Sequence, residues 1–214
     1  MAELKIAADA GGGWTSLKGP ASTSNQNAFV LPSADGSAGQ YLKTDGSKNL
    51  GWASDSAGGI THASEWRINS AFSTGSNFTL NANWEEADDA TYTRIGSAVT
   101  ESSGIFTLPA TGIWEIYHNL HCYVSNAAVR SFEGSIVVST DSGSNWDTTA
   151  QCVGNLFDSN DHTTGSYNMS SIVDVTNASN FRVKFTFYAV ANTVVYGVSS
   201  VSLTSAKFIR LGDT

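Results

Sequence analysis

The chain has 214 residues, of which 41% are hydrophobic and only 14% charged, with a formal net charge of −8. Six Trp, seven Tyr and ten Phe provide enough bulk for a packed core, so this composition argues against a disordered chain. The eleven Lys and Arg residues are scattered, which argues against DNA or RNA as a main partner.

The N-terminal quarter is poor in bulky side chains. ELKIAAD predicts a short strand, and Asp35-Gly36 and Asp45-Gly46 each favour a tight hairpin turn. These turns predict a small three-stranded meander that ends at Trp52. Because an isolated meander of this size is marginal in water, we expect it to order only against copies of itself or against another protein.

The character of the sequence changes near residue 60. A Ser/Gly/Ala linker is predicted at 53–64, and from Glu65 onward aromatic and β-branched residues concentrate in short alternating runs. We therefore predict an all-β chain with an extended arm and β-meander over 1–60 and a sandwich head over 61–214. The predicted strands of the head are 78–84, 92–96, 104–109, 112–124, 131–140, 148–157, 166–176, 181–190, 193–204 and 206–212.

Two of these strands differ in their pattern. In 181–190 the apolar side chains share one face, which is typical of an antiparallel strand with one face on a core. In 112–124 both faces are bulky, which predicts burial against the domain's own core and against a second subunit. The residues expected at this subunit interface are Trp114, Ile116, Tyr117, Phe185 and Phe187.

Several motifs invite a functional interpretation. Ser139–Trp146, STDSGSNW, nearly fits the Asp-box pattern and predicts a hairpin turn held by its aspartate. His118 and His121 point to opposite faces of a strand, so we expect packing or an interface contact instead of a metal site. Cys122 and Cys152 are expected to be two reduced thiols, although a disulfide is the alternative.

The segment 155–168 predicts a long polar loop that suits ligand contact. A solvated connection is the simpler interpretation, and Ca²⁺ held by Asp158, Asn160 and Asp161 is a further alternative. No other cofactor is expected. The residues proposed for receptor binding are Asp158, Asn160, Asp161, His162 and Tyr167.

Catalytic motifs are not found in the sequence. The four carboxylates of WEEADDATY, 84–92, are interpreted as a solvated run and not as the paired acid and base of a glycosidase. There is no G-x-S-x-G, no P-loop and no Cys/His cluster at zinc spacing. We expect that the protein is not an enzyme.

The stretch SGIFTLPATGIWEIYHNLHC resembles C1q/TNF-like jelly-roll domains, with the matching positions at Phe106, Thr111, Gly112, Trp114 and Ile116. SAKFIRLG, with Phe208, resembles the closing strand of the same fold. Trp114 stands where Tyr is usual in the family, and Ile116 where an aromatic is common. The resemblance covers roughly 65–214 and implies a ten-stranded jelly roll that assembles as a homotrimer.

The stretch LPSADGSAGQYLKTDGSKNLGW, 31–52, resembles meanders near the beginnings of tailed-bacteriophage fibre and decoration proteins, marine ones especially. This resemblance implies a virion structural protein, assembled in the host cytoplasm, whose arm binds capsid or tail. The arm residues assigned to virion attachment are Leu4, Ile6, Trp14 and Leu17.

Two functions are open for such a protein: a trimeric short fibre or knob that binds a host-surface glycan, and a capsid decoration protein without receptor binding. A cellular cytokine-like or lectin-like C1q protein would be expected to carry a signal peptide and a stalk, which the sequence lacks. There is no apolar run of about 18 residues, so no membrane insertion is expected.

Overall fold

The computed structural model describes residues 3–7, 14–18, 30–54, 59–74, 77–125, 129–156, 162–189 and 193–214. The chain divides into two compact units, Met1–Gly58 and Gly59–Thr214. The division lies two residues before the predicted one. In the described segments the regular structure is β-strand, and none of them holds a helix that is long and apolar enough to cross a membrane.

The smaller unit contains two antiparallel hairpins. Strand β1 (Glu3–Ala7) pairs with β2 (Trp14–Lys18), and β3 (Gln40–Thr44) pairs with β4 (Leu50–Ser54). The four residues predicted for virion attachment lie on the first ladder, where Leu4 is opposite Leu17 and Ala7 is opposite Trp14.

The predicted three-stranded meander is wrong in one respect, because its first strand does not form a ladder. Val30 makes only an isolated parallel bridge with Asn49. The turn at Asp45-Gly46 is also wider than predicted. It is a loop from Asp45 to Asn49, in which the Asp45 carboxylate accepts hydrogen bonds from the amides of Ser47 (2.7 Å) and Asn49 (3.2 Å).

The Asp35-Gly36 segment does not turn between two strands but receives the side chain of Trp52. The indole Nε1 donates a hydrogen bond to the carbonyl of Ala34 at 2.8 Å. A Cβ added at Gly36 would lie 2.5 Å from the Trp52 ring, so only glycine lets the indole lie so close to this backbone.

The larger unit is a sandwich of two antiparallel sheets. One sheet has six strands in the order β13-β12-β15-β10-β9, with β7 paired to β15. The other has seven in the order β6-β16-β11-β17-β5-β8, with β14 paired to β11. The strands are β5 (Ala63–Ile68), β6 (Ser70–Thr74), β7 (Phe78–Thr79), β8 (Trp84–Glu86), β9 (Thr100–Ser102), β10 (Ile105–Thr107), β11 (Gly112–Ser125), β12 (Val129–Ser139), β13 (Asp147–Leu156), β14 (His162–Val175), β15 (Arg182–Ala189), β16 (Thr193–Val198) and β17 (Ser205–Gly212).

Successive strands pass repeatedly between the sheets, as in a jelly roll. Strand β11 lies in the seven-stranded sheet, and β12 and β13 lie in the six-stranded sheet. The chain then returns to the seven-stranded sheet with β14, crosses to the six-stranded sheet with β15, and ends in the seven-stranded sheet with β16 and β17. The predicted all-β sandwich fold is confirmed. The sheets have six and seven strands where the resemblance implied ten in total, because short strands such as β7 and β9 extend them.

The predicted alternation produces the core. Strand β11 buries every second side chain from Gly112 to Val124, and β15 buries Val183, Phe185 and Phe187. The centre is aromatic, with the Phe106 ring 5.1 Å from those of both Trp84 and Phe208. Edge-to-face and tilted pairs of this kind add stability beyond area burial.

Four of the five residues expected at a subunit interface belong to this core. Trp114, Ile116 and Phe185 are fully buried within one chain, and Phe187 is nearly so. Because a single copy already covers them, no surface is left for a second copy to contact. The prediction that these four residues form a subunit interface is therefore wrong. For Tyr117, which lies on the opposite face of β11, it stays a prediction.

The strand predictions missed β5, β6 and β9. Residues 63 and 64 were assigned to the linker, yet β5 begins at Ala63 and pairs with β17 and β8. In contrast, 92–96 contributes only an isolated bridge between Ala63 and Ile95. The charged residues Glu65 and Arg67 interrupt the apolar pattern of β5, and its position between β17 and β8 supplies the burial.

Candidate functional surfaces

The face of the seven-stranded sheet that points away from the core, hereafter the outward face, carries both apolar and polar side chains. Its most exposed apolar side chain is Ile172 of β14, at 68%, beside Glu115 of β11. Tyr196 and Leu211 are also exposed. Tyr117 lies on the same face and donates a hydrogen bond to Asn168 Oδ1. A second copy could cover this surface without unfolding the first.

One end of the outward face is rich in rings. Tyr123 packs edge-on against Tyr196, with centroids 5.6 Å apart, and lies 5.0 Å from the ring of His162. His121 pairs with Ser166 Oγ at 2.6 Å through Nδ1, and partial burial lowers its pKa. Rings that expose one face to solvent are typical of interface residues.

His118 and His121 lie on opposite faces of β11, as predicted from the period of a strand. His118 is fully buried, and its Nδ1 pairs with the carbonyl of Ser205 at 2.9 Å. Burial lowers its pKa to about 4, although the Ser205 carbonyl works in the other direction. The two imidazoles therefore cannot bind one ion.

The predicted long loop at 155–168 is much shorter. Strand β13 continues to Leu156 and β14 begins at His162, and Asp158, Asn160 and Asp161 lie outside the described residues. Tyr167 is not displayed for a ligand, because its ring packs 4.3 Å from that of Phe132 and its hydroxyl donates to the Asn155 carbonyl at 3.1 Å. His162 is exposed at the start of β14.

The Asp-box segment is the structural turn that its pattern predicts. The Asp141 carboxylate accepts hydrogen bonds from the Asn145 amide (2.9 Å), the Asn145 side chain (2.6 Å) and the Ser139 hydroxyl (2.7 Å). These bonds lower the pKa of Asp141 to about 2, with the Asn145 amide contributing most. Trp146 closes the turn beneath Lys184, whose Nζ lies 4.0 Å from the ring centroid.

The acidic run at 84–92 is not simply solvated, which corrects the prediction. Three of its carboxylates bind Arg67, whose side chain is fully buried: Glu85 at 2.8 Å, and Asp88 and Asp89 at 2.5 Å each. Burial alone would lower the pKa of Arg67, but the hydrogen bonds to Glu85 and Asp89 outweigh it and raise the pKa. The cluster fastens the β8 region to β5 and leaves no free pair of acids in a cleft.

The two cysteines are free thiols. Cys122 is buried in the core, where burial raises its pKa to about 12 with a further contribution from Cys152. Within the described part of the chain, no group of three or more His, Cys, Asp or Glu side chains is arranged to hold a metal ion.

Within 30–54, the part of the smaller unit whose side chains the structure describes, several large apolar side chains are exposed. Leu31 is 69% exposed, and Val30, Tyr41, Leu42 and Trp52 are all exposed as well. Pro32, Leu42 and Trp52 help to line an open groove of about 450 Å³. An apolar surface of this density on so small a unit is typical of a segment that binds another protein.

No protein-family model and no curated protein matches the chain. Among solved structures, murine APRIL at pH 5.0 is similar at 14% identity and a TM-score of 0.49, over 70% of this chain and 98% of that one. The Eiger TNF of S. frugiperda is similar at 11% identity and a TM-score of 0.45, over 73% of this chain and 96% of that one. Both similarities are weak and do not extend to function.

Proposed function

We propose that the chain is a bacteriophage virion structural protein that acts as a homotrimeric short fibre or knob. The N-terminal arm, including Leu4, Ile6, Trp14 and Leu17, would bind capsid or tail proteins. The sandwich would contact the host surface, with a glycan as the favoured receptor. Three copies in each knob and several knobs on each particle would convert weak contacts into useful avidity. This is a binding role and not a catalytic one.

The observation that carries the proposal is the exposed apolar surface of 30–54. The Trp52 indole fixes the hairpin against Ala34, yet Leu31, Tyr41 and Leu42 stay in water. The conformation of 30–54 is therefore specified, while these three apolar side chains are left uncovered by the residues that the structure describes. The resemblance of 31–52 to meanders of phage fibre and decoration proteins supports a virion surface as that cover.

The outward face supports self-association. Removing Ile172 and Tyr196 from water would be favourable by about 25 cal/mol for each Å² of apolar area covered. We expect the full chain to sediment as a trimer and Ile172→Lys to shift it toward monomer. Val153 is 62% exposed on the other sheet, so Val153→Lys is the matched control and should leave the trimer intact. A monomeric wild-type chain would contradict the trimer.

The virion role is tested on purified particles. We expect mass spectrometry to find the protein in them. Leu42→Ser should reduce its incorporation, whereas Lys43→Ser, a neighbouring change on the same strand, should not.

Electron microscopy of the particles then distinguishes a fibre from a capsid decoration protein. Density on the tail would support the fibre, and density at capsid three-fold positions would support a decoration protein. Absence from the particles would refute both.

A further inference from the structure

A depression lies on the outer surface of the six-stranded sheet, on the opposite side of the sandwich from the outward face. This outer-sheet groove has a volume of about 340 Å³, at the lower end of the range for ligand pockets. The residues that matter for its chemistry are Thr79, Glu133, Ser135, Gln151, Thr186 and Tyr188.

The strand register builds the floor of the groove. Thr79 of β7 is opposite Thr186 of β15, Thr186 is opposite Ser135 of β12, and Ser135 is opposite Gln151 of β13. Four polar side chains therefore form one row across four strands, about 14 Å long at the usual strand spacing. In the adjacent row, Tyr188 is opposite Glu133.

The hydrogen-bonding groups of the floor are under-used. Ser135 is only 6% exposed, and its hydroxyl has a single long contact of 3.4 Å with Gln151 Nε2 among the residues that the structure describes. The same amide donates to Glu133 Oε2 at 3.2 Å. A buried hydroxyl is normally better satisfied, so this row has capacity for donors and acceptors from a ligand.

The composition of the groove selects the class of ligand. Among the residues that the structure describes, Glu133 is the one charged residue that lines the groove, which disfavours an anion and provides too few oxygens for a dedicated cation site. Lys184, the nearest cation along β15, rests on the Trp146 ring. Hydroxyl and amide groups on the floor disfavour a wholly apolar ligand. The ring of Tyr188, which lies opposite Glu133 on the groove side of the sheet, provides an apolar wall for the carbon face of a sugar ring.

We infer that the outer-sheet groove binds a neutral oligosaccharide, with Ser135, Gln151 and Glu133 bonding its hydroxyl groups and Tyr188 packing against a ring. The inference rests on the proposed function and replaces the 155–168 segment as the receptor site. The row of four strands suits an extended glycan that crosses the sheet.

The test uses the full chain on an array of neutral oligosaccharides and of their sialylated and sulfated counterparts. We expect binding to neutral members, and Gln151→Ala and Glu133→Gln each to weaken it roughly tenfold, as the loss of one good hydrogen bond predicts. Asp147→Asn is the control, because Asp147 begins the same strand as Gln151 but does not line the groove. Thermal melting checks that each variant is folded.

Each other outcome overturns the inference. Neutral binding that both groove variants leave unchanged would move the site elsewhere and leave glycan attachment standing. A requirement for sialylated or sulfated glycans would reject the ligand class. Binding to no member of the array would remove the groove as a glycan site, while the protein's presence in purified particles would still test the virion role separately.

Discussion

The imidazole of His118 is stacked on the ring of Phe185, with centroids 4.3 Å apart and planes inclined by 22°. This pair places a titratable group at the centre of an aromatic core. Only Nδ1 has a partner, the Ser205 carbonyl, and Nε2 is buried without one among the described residues. The stacked arrangement therefore requires a neutral ring.

The free energy of unfolding should fall as the pH drops from about 6.5 to about 4. His118 has a pKa of about 4 in the folded chain, because burial disfavours the imidazolium, and an ordinary value of 6.5 when unfolded. Since the unfolded state binds the proton more tightly, the contribution of His118 to the free energy of unfolding is complete above pH 6.5 and is lost as the pH falls toward 4. Between pH 7 and pH 5 we expect a loss of about 2 kcal/mol by urea unfolding.

The variant His118→Met keeps an apolar group of similar length and removes the proton. We expect the difference between pH 7 and pH 5 to shrink by most of that amount, while His121→Gln, which changes a half-buried ring on the other face, retains it. The same pH dependence in wild type and His118→Met would contradict the assignment.

The Arg67 cluster predicts a second contrast in stability. Arg67→Met would leave Glu85 and Asp89 without their cation and should cost about 3–5 kcal/mol, as for other broken buried pairs. Asp88 also binds Arg67, but its side chain is 79% exposed, so Asp88→Asn should cost less than about 1 kcal/mol. Urea unfolding at pH 7 measures the free energy of unfolding of both variants. Equal losses in Arg67→Met and Asp88→Asn would show that buried charge does not stabilise the cluster.

Parts of the fold are predictable because they depend on local pattern. The alternation in 112–124 and 181–190 has a period of two, and those positions are buried as expected. Likewise, the hydrogen bonds to the Asp141 carboxylate come from residues within four positions of it. In these segments the local sequence specifies which side chains are buried and which groups hold the turn, although the strands that pair with them lie far away in the chain.

The remaining features depend on partners that the fold brings together from distant positions. Arg67 finds its acids only because β5 pairs with β8. The outer-sheet groove combines Thr79, Ser135 and Gln151 through the register of four strands. Strand β14 begins at His162, four residues before the predicted strand 166–176, because pairing with β11 covers polar residues that the local pattern assigns to a loop. Hydrophobicity along the chain does not encode such registers.

The β9–β10 turn predicts a strict requirement for glycine. Ser103 and Gly104 have φ of 52° and 79°, which is the pattern of a two-residue hairpin turn. A Cβ at Gly104 would also lie 2.6 Å from Asn81 Cα. Gly104→Ala should therefore cost about 2–4 kcal/mol in urea unfolding, from backbone strain and overpacking together.

Gly212→Ala is the matched control for that substitution. Gly212 lies at the end of β17 without a positive φ, and a Cβ there would meet nothing within 4 Å. We expect a change within about 0.5 kcal/mol, as for ordinary surface substitutions. A similar loss in the two variants would mean that the turn tolerates a side chain.

Cys122 and Cys152 should differ in reactivity. Burial raises the pKa of both thiols, to about 12 for Cys122, which lies in the core, whereas Cys152 is only half-buried. Because the thiolate is the reactive form, iodoacetamide at pH 8 should modify Cys152 slowly and Cys122 only after unfolding. Peptide mapping by mass spectrometry distinguishes the sites.

Unfolding in urea under non-reducing conditions supplies the control for that labelling. Both thiols should then react at the rate of a model peptide, because the barrier is burial in the fold and not chemical modification. If neither cysteine reacts in urea until a reductant is added, the two are joined in a disulfide and the free-thiol assignment is refuted. Fast native labelling of Cys122 would instead show that the edge of the core near Met169 opens readily.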